Sequence, residues 1–162
     1  MYTLTLPTPA GPAFCAIVDD DHVVLAAGFT DDPGELSTRM GLPAPPPQRQ
    51  DGPVHAAIIR YLEGDLQALN QIAVRQEGTE FQQQVWDALR KVPAGQTSTY
   101  GQLADAVGRP RATRAVGSAC GRNLIAPFIP CHRATRSDGT MGGYYYGLAV
   151  KDWLLRHESG HS

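Results

Sequence analysis

From the N-terminus, apolar residues come in short bursts separated by turn-forming clusters. Met1–Leu6 alternates, Phe14–Val18 and Val23–Phe29 are nearly continuous apolar runs, and Pro9–Pro12 and Asp19–His22 lie between them. This pattern predicts three short strands. A breaker-rich loop follows over Gly41–Pro53, with Pro43, Pro45, Pro46 and Pro47. Val54, Ala57, Ile58, Tyr61 and Leu62 then recur at helical spacing and predict one apolar helix face, ended by Gly64. Leu66–Val74 reads as a strand or an extended link.

From Thr79 the period is helical. Thr79 with Gln82, and Thr99 with Gln102, are capping-box pairs that open two helices. Phe81, Val85, Ala88, Leu89 and Val92 supply the buried stripe of the first, and Tyr100, Leu103, Ala104 and Val107 that of the second. Pro93–Ala94–Gly95 separates the two. Beyond the turn at Gly108–Pro110, a third helix is predicted over Arg111–Gly121, giving a helix-turn-helix candidate. Arg111, Arg114, Ser118 and Arg122 share one face of that helix, while Ala112, Ala115, Gly117, Ala119 and Gly121 keep it thin. Residues 1–75 thus form a small α+β unit, and residues 76–162 a helical one.

Charge sharpens the division. Residues 1–80 hold 4 Lys+Arg against 11 Asp+Glu, whereas residues 81–162 hold 10 against 5. A C-terminal half of net charge +5 is suited to a polyanion, and an N-terminal half of −7 is not. No run of 18 apolar residues marks a membrane span. The first Lys or Arg is Arg39, so no secretory leader is expected. Three cysteines, Cys15, Cys120 and Cys131, without framework spacing, suit a reducing cytoplasm. His22, His55 and Cys15 lack ligand spacing, so no metal is expected.

The chemistry gathers at Ile129–Pro130–Cys131–His132–Arg133, after the apolar run Ile125–Ile129. A free thiol is mostly protonated at neutral pH, and the thiolate is the nucleophile. An adjacent histidine held by a carboxylate would correct this. Asp138, Asp152 and Glu158 are the downstream candidates, and spacing does not choose among them.

Several motifs in register carry a resemblance. They are Phe81-x-x-x-Val85-Trp86, Pro93-x-Gly95-x-Thr97-x-x-Tyr100, Arg114–Ala115–Val116–Gly117, Asn123, Pro130–Cys131–His132–Arg133, Gly142–Gly143–Tyr144, and Lys151 through Glu158. From about Thr79 to Glu158 the chain resembles the methylated-DNA–protein-cysteine methyltransferases, or O6-alkylguanine-DNA alkyltransferases. Over residues 1–75 only the strand-loop-helix outline agrees.

The resemblance implies a ribonuclease-H-like α+β domain followed by a winged-helix/helix-turn-helix domain. The implied activity is irreversible transfer of an alkyl group from O6 of guanine, and from O4 of thymine, in double-stranded DNA. Cys131 would accept the alkyl group, His132 would take the thiol proton, Glu158 would hold the imidazole, and Asn123 would brace the turn. Tyr100 would crowd a phosphate, Arg114 would replace the flipped base, and Arg111 and Ser118 would touch DNA. Tyr144 would donate toward guanine O6, with the main chain at Cys131 and Ala134 reading the exocyclic amine. No cofactor is implied. The expected state is a monomer in solution, with cooperative binding on DNA left open. The chain departs from the pattern at Ala134, usually a branched aliphatic, at Leu124, where proline is common, and at Tyr145–Tyr146, which are expected to narrow the pocket against bulky adducts.

Overall fold

The computed structural model describes residues 1–160 and divides into two compact units. The first comprises Met1–Gln76 together with Leu124–Phe128, and the second Glu77–Asn123 with the chain from Ile129 onward.

In the first unit, β1 (Tyr2–Leu6), β2 (Phe14–Val18) and β3 (Val24–Phe29) form an antiparallel sheet in sequence order. Tyr2 pairs with Val18 and Phe14 with Phe29, with an irregularity between Ile17 and Val18. All five residues of β2 are buried, so this central strand is covered on both faces. Helix α1 (Pro33–Arg39) covers part of it, packing Leu36 against Cys15, Ile17 and Ala26. The hydrophobic pattern did not announce α1. Its signals are local: Asp32 caps the Gly34 N–H, Pro33 opens the first turn and Glu35 follows. Helix α2 (Pro53–Leu62) buries Val54, Ala57, Ile58 and Tyr61, the predicted face.

Two segments depart from the sequence reading. Residues 66–71 are turns rather than a strand, with Asn70 hydrogen-bonded back to Gln67 through both main chain and side chain, and only Val74 bridges β3, at Val24. Leu124–Phe128, expected within the helical unit, belongs with the first. Ala27 donates to the Leu124 carbonyl and accepts from the Ala126 N–H, and Phe128 packs on Phe14. The backbone bonds of an otherwise irregular apolar run are satisfied there.

In the second unit, α3 (Glu80–Arg90) and α4 (Tyr100–Ala106) each begin with a complete capping box. Each cap stabilises its helix by about 1 kcal/mol. Helix α3 packs against both α4 and α5 (Thr113–Gly121). Trp86 of α3 donates its indole N–H to the Ala119 carbonyl of α5 at 3.0 Å. A side chain at Gly78 would lie 2.6 Å from the Trp86 ring, so glycine is required for that packing.

Helix α5 starts two residues later than expected. Arg111 lies in the preceding turn, where the Ala112 N–H bonds the Arg109 carbonyl around Pro110, and so does not share the face of Arg114 and Ser118. After a short 3-10 turn at Cys131–Arg133, the two-residue β5 (Ala134–Thr135) pairs in parallel with β4 (Ser98–Thr99). This ties the strand leading into Tyr100 to the segment leaving Cys131. Helix α6 (Leu148–Glu158) ends the unit. Lys151, Leu154 and Glu158, three and four residues apart, face inward from it.

Candidate active site

Cys131 is 8% exposed and opens the 3-10 turn immediately after Pro130. Its amide bonds the Ile129 carbonyl, and the Arg133 amide bonds that of Pro130, so the turn is closed by its own backbone. Asn123, just past the end of α5, is 2% exposed and bridges the turn. Its Nδ2 donates to the Ile129 carbonyl at 2.8 Å and to Cys131 Sγ at 3.3 Å. A donor on sulfur favours the thiolate over the thiol.

His132 is fully buried, and its Nε2 lies 2.9 Å from Glu158 Oε2. Arg133 grips the same carboxylate with both ends of its fork, Nε to Oε1 at 2.8 Å and Nη2 to Oε2 at 2.9 Å. Its Nη1 donates to the Val92 carbonyl at 2.7 Å. Burial works against the Glu158 charge, but the imidazole and the guanidinium outweigh it and hold the carboxyl well below the usual carboxylate range. Burial also lowers the His132 pKa, against the pull of Glu158, so the ring is neutral at pH 7. With Nε2 donating to an ionised carboxylate, Nδ1 carries the lone pair; it is buried and has no hydrogen-bond partner among the described residues. The other two candidate carboxylates are occupied elsewhere: Asp138 accepts from Thr140 in a surface turn, and Asp152 pairs with Arg156.

These shifts carry a stability prediction. Both groups have folded pKa values below their unfolded ones, so the unfolded chain takes up the proton first as pH falls. Melting temperature is expected to be nearly flat between about pH 7 and 8 and to decline below about 6.5 as unfolded His132 protonates, with Glu158 adding to the decline below about 4.3. In His132→Gln the decline between pH 6.5 and 4.5 should be shallower than in the parent, and parallel curves would refute the assignment.

A cavity of about 340 Å³ opens beside the sulfur, within the range of small-molecule sites. Helix α5 contributes Gly117, Cys120 and Gly121 to its wall, and α4 contributes Tyr100. Arg136, Gly143, Tyr144 and Tyr145 complete it from the loop before α6. The Tyr144 hydroxyl is buried. Tyr145 is half exposed, and Tyr146 braces it edge-on from behind at 4.9 Å between ring centres. The Tyr100 hydroxyl packs so closely on Gly142 that a side chain there would lie 2.7 Å from it. Burial raises the Tyr100 pKa, and its nearness to Cys120 and Cys131 raises it further, so the phenol stays protonated.

Lys151 is completely buried behind this loop. Its Nζ donates to the carbonyls of Ala134 at 2.7 Å, Gly143 at 3.2 Å and Met141. One cation thereby fixes both ends of the turn that carries Arg136 and the approach to Tyr144. Burial lowers its pKa, while Cys131 and Cys120 raise it. Ala134 itself does not line the cavity. It is fully buried, and its carbonyl is engaged by Lys151. Arg114 and Ser118 are exposed on α5, on the same face as Gly117 and Gly121 but outside the cavity.

The sequence reading gave Arg133, Lys151 and Arg136 no part in the site, and treated Cys120 as packing only. The spacing of Lys151 seven residues before Glu158 on one helix was the available signal for an inward-facing cation. Cys120 lines the cavity, yet burial, reinforced by Cys131, pushes its thiol strongly up and leaves it un-ionised.

A helical unit with a helix-turn-helix pair and a buried, histidine-flanked thiol at the wall of an open cavity defines a helix-turn-helix class of protein built around a cysteine. Residues 80–160 match the family described as "6-O-methylguanine DNA methyltransferase, DNA binding domain". A methylated-DNA–protein-cysteine methyltransferase of Shigella flexneri is 49% identical over 98 residues, covering 60% of this chain and 57% of that protein. A Mycobacterium tuberculosis O6-methylguanine methyltransferase crystal structure is 32% identical with a TM-score of 0.79, covering 99% of this chain and 94% of that one. A Mycobacterium tuberculosis protein solved in complex with DNA is 28% identical with a TM-score of 0.78, covering 100% and 95%. The chain belongs to the O6-methylguanine-DNA methyltransferase family, a small sheet unit followed by a helical unit. Its matches span 57% of the Shigella flexneri protein and 42% of an Escherichia coli bifunctional transcriptional activator/DNA repair enzyme, about half the length of each. Among the described residues no helix is long and apolar enough to cross a membrane, and no group of three or more His, Cys, Asp or Glu is placed to hold a metal ion.

Proposed function

We propose that this protein repairs O6-alkylguanine in double-stranded DNA by taking the alkyl group irreversibly onto Cys131. The observation that carries this reading is a cavity-lining thiol, bonded by Asn123, whose next residue is a buried neutral His132 bonded by an ionised Glu158. His132 Nδ1 accepts the thiol proton, directly or through a water. The thiolate attacks the carbon attached to O6, a C–S bond forms, and the C–O6 bond breaks. Its electron pair leaves on guanine, which regains a proton. Tyr144, which lines the cavity, donates toward O6 as that charge develops. The thioether is stable, so each molecule acts once. The displacement needs only the chain's own residues, and O4-alkylthymine presents the same leaving-group chemistry.

A base inside a duplex must be extruded to reach the cavity, at a cost of a few kcal/mol. The exposed face of α5 supports this step. Side chains at Gly117 or Gly121 would meet nothing within 4 Å, so the chain's own packing does not require their smallness. A minor groove lying against that face does. Arg114 takes the place of the extruded base, Ser118 bonds a phosphate, Arg111 reaches the backbone from the preceding turn, and Tyr100 presses on the phosphate of the target nucleotide. The working unit is a monomer in the cytoplasm.

Incubation with a duplex containing O6-methylguanine should add one methyl to the intact mass, mapped to Cys131, with a burst that stops at one equivalent. An unchanged mass at saturating duplex would overturn the reading. Tyr145 sets the size limit: Tyr145→Ala should raise the rate with O6-benzylguanine relative to O6-methylguanine by roughly tenfold or more. An unchanged ratio of the two single-turnover rates would leave the pocket wall without that role.

A further inference from the structure

Among the described residues Arg136 is the only charged side chain lining the reactive cavity, and it is uncommitted there. Arg133 is tied up by Glu158 and Val92, and Lys151 by three carbonyls. The Arg136 guanidinium makes no hydrogen bond and no ion pair among the described residues. Its main chain, by contrast, is fixed. The Arg136 N–H bonds the Thr140 carbonyl, and its own carbonyl accepts from the Gly139 N–H, closing a tight turn. The nearby Asp138 carboxylate, whose pKa is lowered mainly by its bonds from Thr140 and in smaller part by Arg136, is held by the Thr140 amide and hydroxyl.

Position matters as much as freedom. Arg136, Gly143 and Tyr144 line both the reactive cavity and a second, wider hollow of about 540 Å³. An exposed residue shared by two adjoining hollows stands at a rim, not at the base of either. A nucleobase is neutral, so a cavity built for one has no use for a buried cation. The nucleotide's charge lies on its flanking phosphodiesters, which stay outside. A guanidinium fork at the rim matches a phosphate bidentately.

We propose that Arg136 is a phosphate-binding residue that holds the backbone of the extruded nucleotide at the cavity mouth, so that duplex DNA is gripped from the loop before α6 as well as from α5. This rests on the repair reading above, and the test separates the two. Binding of an unmodified duplex by Arg136→Gln is measured from 50 to 200 mM salt, alongside single-turnover transfer from an O6-methylguanine duplex and from free O6-benzylguanine base. The expected result is a slope of log affinity against log salt shallower by about one, and duplex transfer at subsaturating DNA slower by roughly fivefold. Transfer from the free base should be unchanged, and Arg136→Lys should restore most of the salt slope. A parental salt slope in Arg136→Gln would overturn the proposal, as would equal slowing with duplex and free base, which would place Arg136 in the chemistry. If the parent protein transfers nothing from either substrate, the repair reading fails first, and the salt slope alone decides whether Arg136 binds phosphate.

Discussion

Cys131→Ala is expected to abolish alkyl transfer while leaving affinity for duplex DNA within about twofold. The Cys131 sulfur satisfies three conditions together. It belongs to a residue that lines the open volume, it accepts the Asn123 amide, and it stands on the first residue of a backbone-closed turn that fixes its direction. Removing it leaves Asn123 bonded to the Ile129 carbonyl, so the turn should persist. The substitution touches neither the exposed face of α5 nor Arg136, which are the surfaces proposed to meet DNA. Cys120 makes the experiment sharper. It is a second thiol on the same cavity wall, so any methyl recovered on the variant would be found there. Burial keeps that thiol protonated, and a protonated thiol is a poor nucleophile. Peptide mapping after long incubation with methylated duplex checks the point. A Cys120 adduct forming at more than a trace of the parental rate would mean that the cavity, not the Asn123–Cys131 turn, activates the sulfur.

What the sequence made legible was chiefly local. The capping boxes at Thr79 and Thr99 were readable because both partners lie three residues apart and the physics is confined to one helical turn. The strands of the first unit were readable from apolar runs bounded by turn residues. Helix α1 escaped because seven residues with Leu36 as the main apolar anchor make no periodic stripe. Leu124–Phe128 escaped because its partner is β3, nearly a hundred residues earlier, and nothing local in an apolar run says which unit will bury it. The same limit governed the site. Cys131 and His132 announce themselves by adjacency. Their carboxylate is 26 residues further on, and spacing left three candidates equal. The family resemblance selected Glu158, and the fold explains the choice, since Asp138 and Asp152 sit at the surface with partners of their own. Buried cations were the least legible part. Arg133 and Lys151 read as ordinary charges until the carbonyls and the carboxylate that surround them are brought together by α6.

The buried position of Arg133 carries the largest expected stability effect in the helical unit. Arg133→Met is expected to destabilise the protein by about 3–5 kcal/mol, because it leaves the Glu158 carboxylate buried with only the imidazole to answer it. The Val92 carbonyl loses its donor as well. For a chain of this size that is a fall of about 10 °C or more in melting temperature. Glu158→Gln leaves the Arg133 guanidinium without its counter-ion but should cost less, since an amide can still bond both neighbours and the guanidinium keeps the Val92 carbonyl. The double substitution should be more stable than the sum of the singles, because the second change removes the charge that the first one orphaned. The pH dependence gives an independent reading. In the parent, Glu158 is held ionised and its contribution is lost in acid. In Arg133→Met, burial is no longer opposed by the guanidinium, so protonating Glu158 relieves the defect. The gap in melting temperature between the two proteins should therefore narrow as pH falls below about 5. A gap that stays constant from pH 8 to 4.5, or a total loss under about 3 °C, would mean that Arg133 contributes packing and little else.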